Sequence, residues 1–325
     1  MDGAPELSIE RIATVKPTPR NTIFVVRRSR LFGLETPKLL KATANPELLT
    51  AEEKAEAIRL VTDGLGKAEL EIVGSYPSPL VWTVNDEHGV KRMKGGTAFF
   101  LNTGMSTFAV TAAHVVQEFF NDSKFPDVHC SIACDGKRPL CISLGDRLID
   151  ANAEIDIATF AVSCDEIDYL SRTVLEGHVR EWPPKVAQVD GPATYCGFPG
   201  IGRRPIEQGV VFGAVPMAGI VSSSHETMTS ILIERDQLVR VLGTHDMPEN
   251  FNFGGMSGGP LLAIIQAEIM RTWRPAGVII QGPNPGDAPD QDAIPGLEII
   301  RARPIHFIRG DGYLDLDRWE QANVR

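Results

Sequence analysis

Ser257 lies in a glycine-rich segment, FNFGGMSGGPLL, which spans residues 251–262. A serine hydroxyl is a weak nucleophile near neutral pH, so it needs an adjacent neutral imidazole to take its proton as the oxygen attacks a carbonyl. Glycines suit such a site because close backbone approach and unusual dihedral angles cost little without a Cβ. Ser257 is therefore either a catalytic nucleophile, with its partners supplied from elsewhere in the chain, or a small residue in a tight turn.

The composition of the chain excludes some classes of protein. Of its 325 residues, 43% are hydrophobic and 23% are charged, which is ordinary for a globular protein. A net charge of −10 argues against a general nucleic-acid binder, because clustered Lys and Arg side chains bind phosphate backbones. The sequence shows no signal-peptide pattern at its start and no apolar stretch of membrane-spanning length. We expect a soluble, cytoplasmic protein that binds neither nucleic acid nor a membrane.

The cysteines are too few and too scattered to predict a disulfide framework. They are Cys130, Cys134, Cys141, Cys164 and Cys196. His129 and the first three cysteines are conceivable zinc ligands, but the paired, short-spaced ligands of structural zinc sites are missing. We expect no metal and no cofactor.

Residues 1–68 differ in pattern from the rest and predict a partly helical N-terminal extension. Thr50 and Glu53 form a capping box, and apolar residues then follow one helical face, which predicts a helix over residues 51–63. The sequence offers two glycines as stop signals, Gly64 and Gly66. We expect this helix to pack on the rest of the molecule or to recruit a regulatory protein partner.

From residue 69 onward, short apolar and β-branched runs alternate with turns rich in Gly, Pro and Asp. One interruption, over residues 164–185, carries a short helical pattern and two consecutive prolines. The pattern predicts an all-β fold of two antiparallel β-barrels of the six-stranded type. The first barrel would span residues 69–163 and the second residues 186–325, with 164–185 as the linker.

The segment around Ser257 also fits the Gly-x-Ser-x-Gly elbow of α/β-hydrolases. That fold needs a buried strand before the serine, a helix directly after it, and an acid and a histidine later in the chain. The tail does supply Asp287, Asp290, Asp292 and His306. However, Gly258-Gly259-Pro260 is a poor helix start, and the helices that must cover a parallel sheet are absent. The periodicity therefore favours the all-β interpretation.

Three segments together resemble trypsin-like serine peptidases of a bacterial, intracellular type. TFAVTAAHVV resembles the histidine segment of these enzymes and contains His114, EIDIATFAV resembles their Asp-Ile-Ala segment and contains Asp156, and Ser-Gly-Gly-Pro resembles their nucleophile loop. GTAFFL and YCGFPG also look like recurring segments of the family. The order His114, Asp156, Ser257 is the trypsin-like order. The resemblance spans about residues 70–310 and implies a chymotrypsin-like fold and a serine endopeptidase.

The resemblance implies a role for each residue. His114 would be the general base, Asp156 would orient and stabilise the imidazolium, and Ser257 would form the acyl-enzyme. The backbone N–H groups of Gly255 and Ser257 would form the oxyanion hole. An alternative is a catalytically silent barrel pair that acts as a partner-binding or regulatory module. An intact triad disfavours it, because a binding module has no need for all three groups.

Met256 departs from the pattern of secreted family members, which carry at this position an Asp that pairs with a newly freed N-terminus. Val115 follows His114 where many secreted members have a disulfide-forming Cys, which suits a reducing compartment. Two explanations of what orders the loop over residues 253–257 stay open. Either apolar packing of Met256 suffices, or a partner is needed.

The same resemblance assigns Phe251 and Asn252 to the base of the primary specificity pocket and Ile280, Gln281 and Gly282 to the segment that pairs with substrate. A strong preference for Lys or Arg would need a carboxylate at the pocket base, since burying an unpaired cation is costly. Phe251 supplies none and would limit the depth of the pocket, whereas Gly282 would leave its entrance open. We expect a protein or peptide substrate that is cleaved after small or medium apolar residues.

Overall fold

The structure of the chain is a computed structural model. It describes residues 13–14, 23–26, 50, 52, 55, 59, 64–85, 89–124, 128–135, 137–177, 182–206, 209–233, 238–241, 251–267, 270–283 and 298–324.

Strands dominate the described residues. The strands are β1 Ala13–Thr14, β2 Ile23–Val26, β3 Pro77–Asn85, β4 Lys91–Asn102, β5 Thr107–Thr111, β6 Cys130–Ile132, β7 Cys134–Asp135, β8 Leu140–Ile142, β9 Leu148–Asn152, β10 Ile157–Ala161, β11 Leu175–Glu176, β12 Pro192–Gly197, β13 Arg203–Ile206, β14 Gly209–Phe212, β15 Val215–Ser224, β16 Thr229–Ile233, β17 Leu238–Val241, β18 Pro260–Ala267, β19 Met270–Gln281 and β20 Glu298–Pro304. The helices are α1 Leu65–Ser75, α2 Ala113–Asp122, α3 Leu144–Arg147, α4 Cys164–Leu170 and α5 Leu316–Asn323, with 3-10 turns at Gly200–Gly202 and Ile305–Phe307.

The first sheet is an open half-barrel. Its strands follow the order β8-β6-β3-β4-β5-β10-β9, with β11 added to β4, and among the described residues no pairing joins the edge strands β8 and β9. The inward side chains are large and apolar, with Trp82, Phe100 and Phe160 fully or almost fully buried. This packing fixes the ends of β5 and β10, which flank the segments that contain His114 and Asp156.

The second sheet closes on itself. Strands β12, β18, β19, β20, β16 and β15 pair in that order, and β12 pairs with β15 to complete a six-stranded barrel. Its core contains Tyr195, Phe253 and Ile279. Strand β2 of the N-terminal extension runs parallel to β15 and antiparallel to β17, outside this closed ring.

The prediction of an all-β fold with two antiparallel units is confirmed, and the second unit is a closed six-stranded barrel as expected. The first unit differs from the predicted barrel, because among the described residues its edge strands do not pair and the sheet stays a half-barrel. A short helix was expected in the interruption between the two sets of strands, and α4 lies there. Its capping box explains its start, because the Ser163 hydroxyl accepts from the Glu166 N–H and the Glu166 carboxylate accepts from the Ser163 N–H.

Helix α1 corrects part of the prediction for the N-terminal extension. Of the predicted helix over residues 51–63, Glu52, Ala55 and Arg59 are described and all three are helical and exposed; its remaining residues lie outside the described residues. Gly66 does not stop a helix, because it lies in the first turn of α1, where its N–H needs no intrahelical partner. The role of the extension in recruiting a partner stays a prediction.

Helix α1 packs against β12 and β15 of the closed barrel. It buries Leu70 and Val73 completely, and the carboxylate of Glu69 pairs with Arg271 of β19. The expected boundary between residues 68 and 69 falls inside this helix. A truncation that keeps helix α1 intact must therefore end before Leu65.

A third apolar cluster joins the two sheets. Phe99 and Val110 of the first sheet lie in it beside Leu262 and Val278 of the second, and Phe307 follows from the C-terminal segment. The two sheets bury apolar side chains against each other in this cluster, and we call the boundary between them the seam. Close packing here fixes the positions of the loops on either side of the seam.

Candidate active site

Asp156 accepts hydrogen bonds from two groups of His114. Helix α2 begins at Ala113, and its N-cap, Ala112, has no side-chain oxygen to accept from the first N–H groups. The carboxylate supplies this acceptor instead, since Asp156 Oδ1 lies 2.9 Å from the His114 backbone nitrogen. A negative charge at this position is also favoured by the helix dipole. The start of α2 and the carboxylate are therefore locked together.

The imidazole of His114 makes the second contact. Its Nδ1 lies 2.8 Å from Asp156 Oδ2 and 3.0 Å from Oδ1. A hydrogen on Nδ1 that donates to this carboxylate leaves the lone pair on Nε2, on the opposite side of the ring. The His114 side chain is 47% exposed and that of Asp156 only 18%, so the carboxylate is shielded while the imidazole is open to solvent.

Asp156 itself is held in an unusual conformation. Its φ is +58°, in the left-handed region that few residues other than glycine adopt. Arg303 of β20 spans this turn from the second sheet by donating to the carbonyl oxygens of Glu154 and Ile155. The Asp156 backbone N–H also donates to the Asn152 carbonyl at 2.8 Å. Both sheets therefore fix the position of the acid.

The nucleophile loop adopts conformations that require glycine. Gly255 and Gly258 have φ of +99° and +90°, on either side of Ser257. A Cβ on Gly258 would lie 2.0 Å from the Thr97 carbonyl oxygen and 3.0 Å from the Ala112 nitrogen, so no other residue fits. Because Ala112 directly precedes helix α2, this close approach sets the loop beside the helix that carries His114.

The hydroxyl of Ser257 points to its own sheet. Ser257 Oγ lies 3.5 Å from the carbonyl oxygen of Ile280, at the outer limit of a hydrogen bond. No hydrogen bond joins Ser257 to His114 within the part of the chain that the structure describes. The structure thus brings His114 and Asp156 into direct contact. Ser257 lies at the same boundary between the two sheets, and in the described residues it makes no hydrogen bond to His114.

The N–H groups of Gly255 and Ser257 have no acceptor among the residues that the structure describes. The Gly254 carbonyl accepts from the Gly200 N–H at 2.7 Å, and the Met256 carbonyl accepts from the Gly259 N–H at 2.9 Å. The N–H and C=O of a trans peptide point in opposite directions, so the N–H groups of Gly255 and Ser257 point away from these partners. Within the described residues neither N–H donates to another group of the protein.

Apolar packing orders this loop. Met256 is 1% exposed and lies in the barrel core with Phe251 and Phe253. Its N–H also donates to the Phe253 carbonyl at 3.0 Å. Of the two explanations left open by the sequence, packing of Met256 has direct support.

The expected specificity residues are brought close together. Phe251 is buried and its ring meets that of Phe253 edge to face, with centroids 4.8 Å apart. A Cβ on Gly282 would lie 2.7 Å from Phe253 Cβ, so the backbone at 282 touches this residue and has no room for a side chain.

The polar members of this set are exposed and bonded to neighbours. Asn252 accepts from the Gly254 N–H at 2.6 Å, and Gln281 accepts from Arg301 at 2.9 Å. Both therefore stabilise local backbone or side-chain positions, with Ile280 contributing its carbonyl to the Ser257 hydroxyl as described above.

The five cysteines all lie within the described residues and form no disulfide. Burial raises the pKa of Cys130 and of Cys196 to about 12. Among the described residues no three His, Cys, Asp or Glu side chains are grouped as metal ligands would be. No helix in the described ranges is both long and apolar enough to cross a bilayer.

Two residues of this site, Thr97 and Arg303, are not predicted by the sequence patterns. Thr97 lies within GTAFFL, a segment that resembles the family but in which no residue was assigned a role, and its hydroxyl bonds to Gly255 and Phe198. Arg303 is a buried charge in strand β20, whose other charged residues, Glu298 and Arg301, are only partly buried. A charged residue at an inward position of a strand is a signal that the sequence does contain.

No family model and no curated protein matches the chain. Among solved structures, the serine protease domain of the Sesbania mosaic virus polyprotein aligns with 72% of this chain and 96% of its own, at 13% identity and a TM-score of 0.36. A second structure, from work on the aromatic interactions that drive coupled folding and binding of the intrinsically disordered Sesbania mosaic virus VPg protein, covers 73% of this chain and 95% of its own at the same identity and TM-score. Similarity this low carries no information about activity.

Proposed function

We propose that the chain is a serine endopeptidase that hydrolyses peptide bonds through an acyl-enzyme, with His114, Asp156 and Ser257 as its triad. The observation that carries this proposal is the double contact of Asp156 with the backbone and ring of His114. A carboxylate on Nδ1 orients the ring and stabilises the imidazolium that forms when Nε2 accepts a proton.

The reaction would begin when Ser257 Oγ attacks the substrate carbonyl carbon and its proton passes to His114 Nε2. The imidazolium would then protonate the leaving amine, and the peptide bond would break to leave an ester on Ser257. A water molecule activated by the same imidazole would hydrolyse this ester. Asp156 would remain ionised throughout.

The unpartnered N–H groups of Gly255 and Ser257 support this chemistry. Donors that are fixed before the reaction stabilise the oxyanion of the tetrahedral intermediate without a reorganisation cost. The carbonyls of Gly254 and Met256 are already bonded elsewhere in the protein, which keeps both peptide planes in place. One such donor typically contributes about 3 kcal/mol to the lowering of the barrier.

The hydroxyl of Ser257 has to turn for the attack. Its bond to Ile280 is long, so it competes weakly with a bond to His114, and rotation about Cα–Cβ moves Oγ between staggered positions. Catalytic hydrogen bonds are often long in a free enzyme and tighten when substrate binds.

We propose cleavage after small or medium apolar residues. Phe251 and Phe253 would give the wall of the specificity pocket an apolar character. Gly282 lies close to Phe253, which would limit the size of the substrate side chain that the pocket accepts. The preference should be graded, because one methylene in such a pocket is worth about 1 to 3 kcal/mol.

The second candidate is a catalytically silent module that binds or regulates a partner. The observation in its favour is the missing hydrogen bond between Ser257 and His114 among the described residues. A silent module would leave the serine hydroxyl unreactive, so the two candidates differ in one measurable property.

Covalent labelling with a fluorophosphonate, followed by intact-mass measurement, separates the candidates. The wild-type chain should gain one adduct, and Ser257→Ala should gain none. His114→Ala should label far more slowly and, like Ser257→Ala, should lose peptide cleavage by a factor on the order of a million in kcat. A folded wild-type chain that gains no adduct, and that cleaves no peptide after Ala, Val or Arg, would favour the silent module.

A further inference from the structure

We propose that Thr97 is a positioning residue that fixes the oxyanion-forming conformation of the nucleophile loop through its side-chain hydroxyl. This inference rests on the proposed function. It assigns to a neutral threonine of the first sheet the ordering of a loop that belongs to the second.

The hydroxyl of Thr97 makes two hydrogen bonds across the seam. It donates to the Gly255 carbonyl oxygen at 2.7 Å and accepts from the Phe198 N–H at 3.0 Å. Thr97 is completely buried, so water cannot replace either bond. The hydroxyl therefore ties the nucleophile loop to the end of strand β12 as well as to β4.

The backbone of Thr97 continues the same network. Its N–H donates to the Ser257 carbonyl at 2.8 Å, and its carbonyl accepts from the Thr111 hydroxyl at 2.7 Å. Thr111 is the last residue of β5 and stands three positions before His114. One residue thus contacts both sides of Met256 in the loop and the strand that leads to the base.

The Thr97 hydroxyl matters because Gly255 has no Cβ, so steric contacts alone exclude few of its φ and ψ angles. The peptide before Gly255 is held by the bond from Gly200 to the Gly254 carbonyl, and the peptide after it is held by the Thr97 hydroxyl. The bond from Gly200 fixes the plane that contains the Gly255 N–H, and the bond from Thr97 fixes the next plane relative to it, which sets the path of the chain from Gly255 toward the Ser257 N–H. Without the second bond, a glycine reaches other conformations at little cost.

The peptide between Gly255 and Met256 is held from both sides. Met256 packs its side chain in the barrel core, and its N–H donates to the Phe253 carbonyl. The Thr97 hydroxyl bonds to the Gly255 carbonyl on the opposite side of the same peptide, and this second directional bond fixes the orientation of the plane. Arg203 donates to the carbonyls of Met93 and Gly95 instead.

The test compares four variants of the full chain. Thr97→Val keeps the shape and removes the hydroxyl, Thr97→Ser restores it, and Thr97→Cys provides a weaker donor. Thr159→Val is the matched control, because Thr159 is also completely buried and donates to a backbone carbonyl, that of Gly312, away from the loop. The readouts are kcat and KM for an apolar peptide, the rate of fluorophosphonate labelling, and the melting temperature.

Thr97→Val should lower kcat by about a hundredfold to a thousandfold, the usual effect of losing one oxyanion donor, with KM changed by less than about threefold. The labelling rate should fall in parallel. Thr97→Ser should recover kcat to within a few-fold of wild type, and Thr97→Cys should lie between Ser and Val. Thr159→Val should lower the melting temperature and leave kcat unchanged.

A Thr97→Val enzyme that keeps wild-type kcat and loses only stability, as Thr159→Val does, would overturn the inference. If Thr97→Val does not fold, equal kcat values for Thr97→Cys and Thr97→Ser would overturn it as well. These outcomes are distinct from failure of the proposed function, in which the folded wild-type chain takes up no label. A folded wild-type chain without label would contradict both the proposed function and the inference about Thr97.

Discussion

At the scale of the residue, Asp156 combines a capping role with the orienting role that we propose for it. Its carboxylate accepts from the backbone and the ring of His114, and its φ of +58° is a conformation that asparagine also tolerates. Asp156→Asn should therefore keep the fold and the bond to the His114 N–H. Its amide would donate to Nδ1 and impose the wrong tautomer, which should lower kcat about ten-thousandfold. Steady-state kinetics and the melting temperature of the purified variant check both parts.

Glu154→Gln is the control for this substitution. Glu154 is the nearest other carboxylate in the turn, and it accepts from the Trp319 indole at 3.3 Å rather than from His114. The control should keep its activity. Wild-type rates in Asp156→Asn together with a loss in Glu154→Gln would transfer the orienting role to Glu154.

At the scale of the element, strand β20 and helix α5 support the turn that contains Asp156. Arg303 donates to the carbonyls of Glu154, Ile155 and Thr227, and its guanidinium carbon lies 4.5 Å from the centre of the Trp319 ring. Arg303→Met should leave these carbonyls unpaired, at a cost of about 1 to 3 kcal/mol each where they stay buried, and should lower kcat by displacing Asp156. Urea unfolding and kcat measure the two effects.

Trp319→Leu is the companion variant, because it removes the ring and leaves the bonds from Arg303 to the turn. It should cost stability, including about 0.5 to 2 kcal/mol for the cation–π contact, and it should affect kcat less than Arg303→Met does. Equal kcat in wild type and Arg303→Met would show that the turn holds Asp156 without help from the second sheet.

Strands were predictable from the sequence because alternating β-branched runs and turn residues mark them directly, as in GTAFFL and PLLAIIQ. The helices were harder. Helix α2 follows β5 without a polar break, and only the helical spacing of Val115, Val116 and Phe119 identifies it. Helix α1 was missed because Gly66, which normally weakens a helix, lies in the first turn, where that cost is small.

At the scale of the whole molecule, the order of the three motifs was sufficient to predict which sheet carries each candidate group. It could not predict the contacts across the seam. The bonds from Thr97 to Gly255 and from Arg303 to Ile155 join residues about 150 positions apart. Such contacts follow from how the open half-barrel and the closed barrel meet, and no local propensity or periodicity encodes them.

The stability of the whole molecule should fall in mild acid because of His306. This residue is buried in the turn between β20 and α5. Burial, followed by the charge of Arg318, lowers its pKa from 6.5 to about 4, although Glu226 and Asp315 oppose the shift. An unfolded histidine has a pKa of about 6.5. Between pH 6.5 and 4 the unfolded chain therefore binds a proton that the folded protein does not bind.

Unfolding consequently becomes easier as the pH falls through this window, and His306 lowers the free energy of unfolding by at most about 1.4 kcal/mol per pH unit. Its contribution is absent above pH 6.5. Urea unfolding of wild type and His306→Gln at several values between pH 7 and pH 4 should give a shallower pH dependence in the variant. His225→Gln is the control, because His225 is exposed, and it should follow the wild-type curve. Parallel curves for wild type and His306→Gln would show that the acid sensitivity of the fold originates in other groups.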